Sequence, residues 1–256
     1  MVRARQAGVP AARRRERPPS LPVFILLTLF AAPSSLAQQY DWSYAFVLRT
    51  SYTSSSEIFL NPNSSDPDLR GESSSIGGIL GGGAEARMLL PDLSIFLALS
   101  VEYNSKESNE NLLTAFGGSL QQLPVTEGLR FIPVELTANA YIPLNSETVQ
   151  VTMGGGLGVY YAARVLRVAG VDAPVVNQPV TAGITVGVGV EYKIWPGVSV
   201  EGRMKFRDPE IINDNQFTQD HVDYGGSHVS FPSTPLETKI DVDGMNFMLG
   251  MVVVIL

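Results

Sequence analysis

The chain contains no cysteine. Disulfide staples, thiolate metal sites, cysteine nucleophiles and a lipid anchor on an N-terminal cysteine are therefore excluded. Histidine is nearly absent, with His221 and His228 the only two in 256 residues. Beyond residue 37 no 18 consecutive residues are all apolar, so no transmembrane helix is expected there. Basic residues are also scarce in that part. Six of the 18 lysines and arginines, but only one of the 25 acids, precede residue 38, which leaves 12 basic against 24 acidic residues and a net charge of −12. Nucleic acid is a poor partner for such a surface, because its phosphates must be met by cations.

The N-terminal segment reads as a targeting signal. Arg3, Arg5, Arg13, Arg14, Arg15 and Arg17 form a basic stretch, Leu21 to Ala32 is apolar, and Ser35-Leu36-Ala37 offers a small-x-small cleavage site. The apolar stretch is too short to span a bilayer, which takes roughly 20 residues. Residues 1–37 are thus expected to be a cleaved signal peptide and residues 38–256 the folded domain. A domain without spanning helices crosses a membrane only as a closed β-barrel, since only helices and barrels satisfy their backbone in lipid.

Period-two alternation runs through that domain. From Ile184 to Ile194 every even position is apolar, opposite Thr185, Gly187, Gly189, Glu191 and Lys193. After Trp195-Pro196-Gly197 the pattern resumes, with Val198, Val200, Met204 and Phe206 opposite Ser199, Glu201, Arg203, Lys205 and Arg207, as in a tight hairpin. Similar alternation marks strands at Tyr40–Tyr52, Ser74–Leu90, Leu93–Tyr103, Leu129–Ile142, Val149–Tyr161 and the C-terminal segment. Ile240 and Val242 have the opposite parity to Met245, Phe247 and Leu249, which predicts a bulge near Gly244. Pro133 is awkward in a closed sheet and predicts another bulge, near the membrane edge. Eight strands result. Short turns at Pro91-Asp92, Pro143–Ser146 and Pro196-Gly197 alternate with long loops at 53–73, 104–128, 163–180 and 208–236. An up-and-down all-β sheet with its loops sorted by length reads as an eight-stranded antiparallel transmembrane barrel.

Stretches such as Phe131-Ile132-Pro133-Val134-Glu135-Leu136, Gly187-Val188-Gly189-Val190-Glu191-Tyr192 and Asp243-Gly244-Met245-Asn246-Phe247 carry a family likeness. The domain resembles the small eight-stranded outer-membrane barrels of the opacity-protein and OmpA-transmembrane-domain type. One departure is Ile255-Leu256 at the end, where members of that family commonly place an aromatic residue read by the assembly machinery. The resemblance implies residence in the outer membrane, with lipid and the barrel-assembly machinery as partners. It also implies extracellular contacts through loops 53–73, 104–128, 163–180 and 208–236. No periplasmic domain is expected after the last strand.

Motifs for chemistry are few. Gly154-Gly155-Gly156-Leu157-Gly158 lies inside a strand pattern with no helix after it, so it lacks the context of a phosphate loop. His228-Val229-Ser230 resembles the His-x-Ser pair of outer-membrane lipid A deacylases, and Asp220-His221 the Asp-His pair of barrel proteases. Both sit in a Gly- and Pro-rich loop with no positioned third group expected. Asp66, Asp68, Asp214, Asp220 and Asp223 match no calcium-loop spacing. No catalytic, cofactor-binding or metal-ligating residue is assigned, and no cofactor is called for.

The inward-facing positions instead suggest a lumen charge network. Its acids are Asp41, Glu85, Glu102, Glu135, Glu191 and Glu201, and its bases Arg49, Arg87, Lys193, Arg203 and Lys205. Six acids against five bases make it nearly neutral, because charges inside a filled barrel must be paired. Across the 181–207 hairpin, Ile194 is expected beside Val198, with Glu191 diagonal to Arg203 and Lys193 diagonal to Glu201. Three functional readings follow: a non-catalytic barrel serving envelope structure, loop-mediated adhesion or weak conductance; a barrel hydrolase acting through the fourth loop; and an exported soluble lipocalin-like barrel with an apolar interior.

Overall fold

A computed structural model of the protein describes residues 44–90, 93–116, 119–177, 180–242 and 244–255. The expected signal peptide, the expected start of the first strand including Asp41, and the expected Pro91-Asp92 turn lie outside the described residues. None of the described helices is long and apolar enough to cross a membrane.

Eight antiparallel strands form the barrel: β1 (Tyr44–Thr53), β2 (Ile79–Leu90), β3 (Ile95–Phe116), β4 (Ser119–Ile142), β5 (Val149–Val168), β6 (Thr181–Trp195), β7 (Val198–Arg207) and β8 (Asn246–Ile255). Each pairs with its neighbour in sequence, and β1 meets β8 from Tyr44↔Ile255 to Thr53↔Asn246, so the sheet closes without an edge. Even positions of β6 and β7, odd positions of β8 and their equivalents elsewhere face outward and divide the wall cleanly. Leu48, Leu99, Leu136, Leu157, Ile184 and Leu249 stand on the outer face with 55–70% of their surface exposed. Tyr44, Phe46, Tyr192 and Trp195 ring the short-turn end, and Tyr52, Tyr103, Phe206 and Phe247 the other, all on the outside. From Tyr44 to Tyr52 the rise is about 26 Å along the strand and roughly 20 Å along the axis at the usual tilt, close to the height of a lipid-facing band.

Above this band the chain departs from the loops that its polar composition suggests. β3 and β4 continue as a paired hairpin to Phe116↔Ser119, so 104–128 is mostly strand. β5 runs on to Val168 and turns at Ala169-Gly170 into Val171–Asp172. Segments of loops 53–73, 163–180 and 208–236 build a second sheet with Leu236–Asp241, in the order Ser73–Ser75, Glu57–Phe59, Leu236–Asp241, Glu210–Asn215 and Val175–Asn177. A single helical turn, Pro67–Arg70, starts where Asp66 accepts a bond from the Asp68 amide at 3.0 Å. Asn213 Nδ2 donates to the Ala162 carbonyl at 3.2 Å, and Asn215 Nδ2 to those of Ala173 and Arg164 at 2.8 and 3.3 Å, tying the second sheet to β5.

Among the described residues neither expected bulge is found. Ile240, Val242 and Asn246 are fully buried and Met248 is buried, so inward parity is the same on both sides of the break before β8. What changes is the interior itself, which is apolar under the second sheet and polar inside the barrel. At Pro133 the β3–β4 ladder lapses between Val101↔Val134 and Asn104↔Phe131 but resumes in the same register. The missing N–H costs two rungs and no bulge. A register shift does occur between Lys193 and Trp195, which places Trp195, rather than Ile194, beside Val198.

Candidate functional site

The interior is layered. Nearest the short turns, Leu89, Phe96, Ala98 and Tyr141 form a buried apolar floor. Above it stand two ionic clusters. In the first, Arg87 bonds Glu85 at 2.7 Å, Glu201 at 2.7 Å and Glu191 at 3.3 Å, Arg49 also pairs with Glu85, and Arg203 with Glu201 at 2.9 Å. Arg203 further donates to Asn139 Oδ1 at 3.0 Å and Thr152 Oγ1 at 3.4 Å. In the second, Lys205 and Arg207 both bridge Glu102 and Glu135, at 3.0 Å for Lys205–Glu102 and 3.1 and 3.4 Å for Arg207. The first cluster holds three acids and three bases, the second two and two, so each is neutral by itself. Such compensation is what desolvation demands, because an unpaired buried charge costs several kcal/mol, about 3–5.

Aromatic rings close both ends of the charged section. The Arg87 guanidinium lies 4.8 Å from the Phe96 ring centre, and Phe96 packs on Tyr141 at 5.2 Å. At the opposite end Arg207 sits 5.0 Å from the Phe131 ring, which stacks on Tyr160 at 5.9 Å, and Tyr160 donates to Glu135 at 3.2 Å. Phe131 and Tyr160 belong to an apolar core with Leu129 and Ala162 from the barrel and Ile58, Ile211 and Ile240 from the second sheet. Gly189 leaves the space that the ions fill: a Cβ there would lie 2.8 Å from Thr152 Oγ1 and 3.2 Å from Glu201 Oε1.

Of the residues expected in the lumen, Arg49, Glu85, Arg87, Glu102, Glu135, Glu191, Glu201, Arg203 and Lys205 are buried and meet in these clusters. Asp41 is not described. Lys193 is exposed, because the register shift lies beside it at the rim. Glu191 is diagonal to Arg203 in register, yet its ion pair is with Arg87 across the lumen. Arg207, the last residue of the alternating stretch, is absent from the expected set although it shares the parity of Arg203 and Lys205, and it is fully buried in the second cluster. Arg164 and Glu127, in segments read as loops, form a further pair with Arg164 Nε 2.9 Å from Glu127. The lipocalin-like reading needs an apolar lumen and a polar wall, and the protein has the reverse.

The two histidines lie away from the lumen, on an exposed hairpin of the second-sheet end. Asp220 Oδ1 is 2.6 Å from His221 Nδ1, a bond that holds the Asp220 carboxyl below its usual range. Ser230 stands opposite His221 in the register. Among the described residues no hydrogen bond joins it to either imidazole.

A closed eight-stranded barrel with an apolar outer belt between two aromatic rings and a charged, filled interior defines a small transmembrane β-barrel protein of the outer membrane. The chain is similar to the outer membrane protein OprG from Pseudomonas aeruginosa, with a TM-score of 0.53 and 13% identity over 84% of this chain and 97% of that one. Similarity is lower to Neisserial surface protein A (NspA), at TM-score 0.44 and 11% identity, covering 82% and 97%. It is lower again to the attachment invasion locus protein Ail of Yersinia pestis, in complex with the heparin analogue sucrose octasulfate, at TM-score 0.41 and 9% identity, covering 83% and 98%. No family model and no curated protein matches the sequence. At these identities the likeness is one of fold.

Proposed function

We propose that the protein is a non-catalytic, non-conducting outer-membrane barrel whose working surface is the ordered β structure above the lipid band. The observation that supports this is the closure of the lumen. Two neutral ionic clusters fill its middle, aromatic pairs seal both faces of the charged section, and an apolar core covers the upper end. Eight strands leave an interior just wide enough for side chains, so little remains for a water path. What the chain has built instead, at the end carrying the long connections, is a five-stranded sheet and a tall β3–β4 hairpin. Those segments face outward in this reading and engage an extracellular partner. The test is conductance of the purified, heat-modifiable protein in planar bilayers. The proposal expects no stable channel steps; large, stable steps from the wild-type chain overturn it.

A further inference from the structure

The only two histidines of the chain are brought together on one face of one small hairpin. Strands His221–Tyr224 and Ser227–Ser230 are joined by Gly225-Gly226, whose φ values of 58° and 83° make the tight, mirror-image turn that suits a two-residue hairpin. Val222 and Val229 are cross-strand partners and point inward, onto a cluster with Leu123, Ala169 and Phe231. Phe231 also stacks on Phe217 at 4.3 Å, and its amide donates to the Asp220 carbonyl at 2.7 Å. By alternation, His221, Asp223 and His228 share the opposite, solvent face, held on an anchored base.

The imidazole rings are 4.5 Å apart, centre to centre. Each is gripped by its own carboxylate, His221 Nδ1 by Asp220 at 2.6 Å and His228 Nδ1 by Asp223 at 3.0 Å. An ionised carboxylate only accepts, so each neutral ring carries its proton on Nδ1 and keeps the Nε2 lone pair free. Carboxylate-oriented imidazoles of this kind are how metal-ligating histidines are prepared. Two imidazoles on one tetrahedral zinc, with Zn–N about 2.0–2.1 Å, stand roughly 5 Å apart at their centres, close to the 4.5 Å that separates these two exposed rings.

We propose that this hairpin captures a divalent transition metal of the zinc, copper and nickel class through Nε2 of His221 and His228, with water filling the remaining positions. Asp220 and Asp223 act as positioning residues. Calcium and magnesium, which take oxygen ligands, are not expected to compete. This site is independent of the closed lumen and adds a ligand to the outward-facing surface.

With no cysteine and no third histidine, an untagged chain offers zinc no competing thiolate or imidazole. Zinc is titrated calorimetrically into the full-length protein in detergent micelles. About one ion is expected per chain, with affinity falling at least tenfold for His221→Ala or His228→Ala and binding lost in the double variant. Asp223→Asn should weaken binding by about 10–100-fold, the range seen when an outer-shell partner is removed. Heat-modifiable migration confirms that each variant is folded. Failure of the wild-type chain to bind zinc up to high micromolar concentration overturns the proposal, as does unchanged binding by the double variant.

Discussion

Arg87 is the residue on which the lumen depends most. Its side chain is fully buried, and it bonds three carboxylates, Glu85, Glu191 and Glu201. Truncation to alanine leaves three acids facing Arg49 and Arg203, so the first cluster becomes net negative. Glu85 keeps Arg49 and Glu201 keeps Arg203, but Glu191 loses the cation it is paired with. Breaking a buried pair in this way costs about 3–5 kcal/mol. Arg130→Ala is the control: its pair with Glu107 at 3.2 Å is 52% and 45% exposed and is worth about 0–1 kcal/mol. At a urea slope of about 2 kcal/mol/M, a 3 kcal/mol loss lowers the unfolding midpoint by about 1.5 M. Reversible unfolding in lipid vesicles, followed by tryptophan fluorescence, reads the shift. Adding Glu191→Ala to Arg87→Ala restores the balance of the cluster and should recover part of the loss. If Arg87→Ala and Arg130→Ala share one midpoint, the lumen network does not hold the barrel as argued.

Three further outcomes use the same assay or a simple extension of it. Leu157→Arg, on the outer wall, should cost about 2–4 kcal/mol, whereas Leu69→Arg, equally a surface leucine but on the helical turn, should be near neutral; equal effects would remove the lipid from the account. Gly189→Leu forces a side chain against Thr152 and Glu201 and should destabilise by about 1–3 kcal/mol, seen as a smaller folded fraction on an unheated gel. The Asn213→Ala, Asn215→Ala double variant should loosen the second sheet alone, so that protease nicks residues 208–216 while the barrel still migrates as a folded species; an intact second sheet would contradict the tie to β5.

Within the lipid band the fold was legible because two solvents impose opposite chemistry on alternate residues. Leu97, Leu99 and Val101 against Ala98, Ser100 and Glu102 state the pleat directly. Above the band that pressure ends. Asn104 to Glu110 is polar on both faces, so its strand pairing leaves no alternating trace and it reads as a loop. The second sheet is built of strands three to six residues long, in which Ile58 and Ile211 are too isolated to register as a pattern. Ile240 and Val242 misled in a more instructive way. Apolar character was equated with facing lipid, whereas these two face an apolar core that roofs the charged one. The lumen residues were largely readable from parity, but their partners were not: pairing across a barrel joins residues far apart in sequence, as Arg87 and Glu201 are. Lys193 was lost to a register shift, whereas Arg207, the last residue of the alternating stretch, carries the inward parity and was legible as a lumen residue.

The central claim is that the apolar face meets lipid and the charged face fills a sealed interior. Because the chain has no cysteine, single cysteines report cleanly on each position. Spin labels or fluorophores at Leu97, Leu99, Leu136 and Leu157 should be quenched by lipid-dissolved reagents, while cysteines at the inward neighbours Ala98, Ser100 and Thr137 should resist both lipid- and water-borne reagents in the folded protein. Equal accessibility on the two faces, or reaction of the inward set with water-borne reagents, would contradict the account.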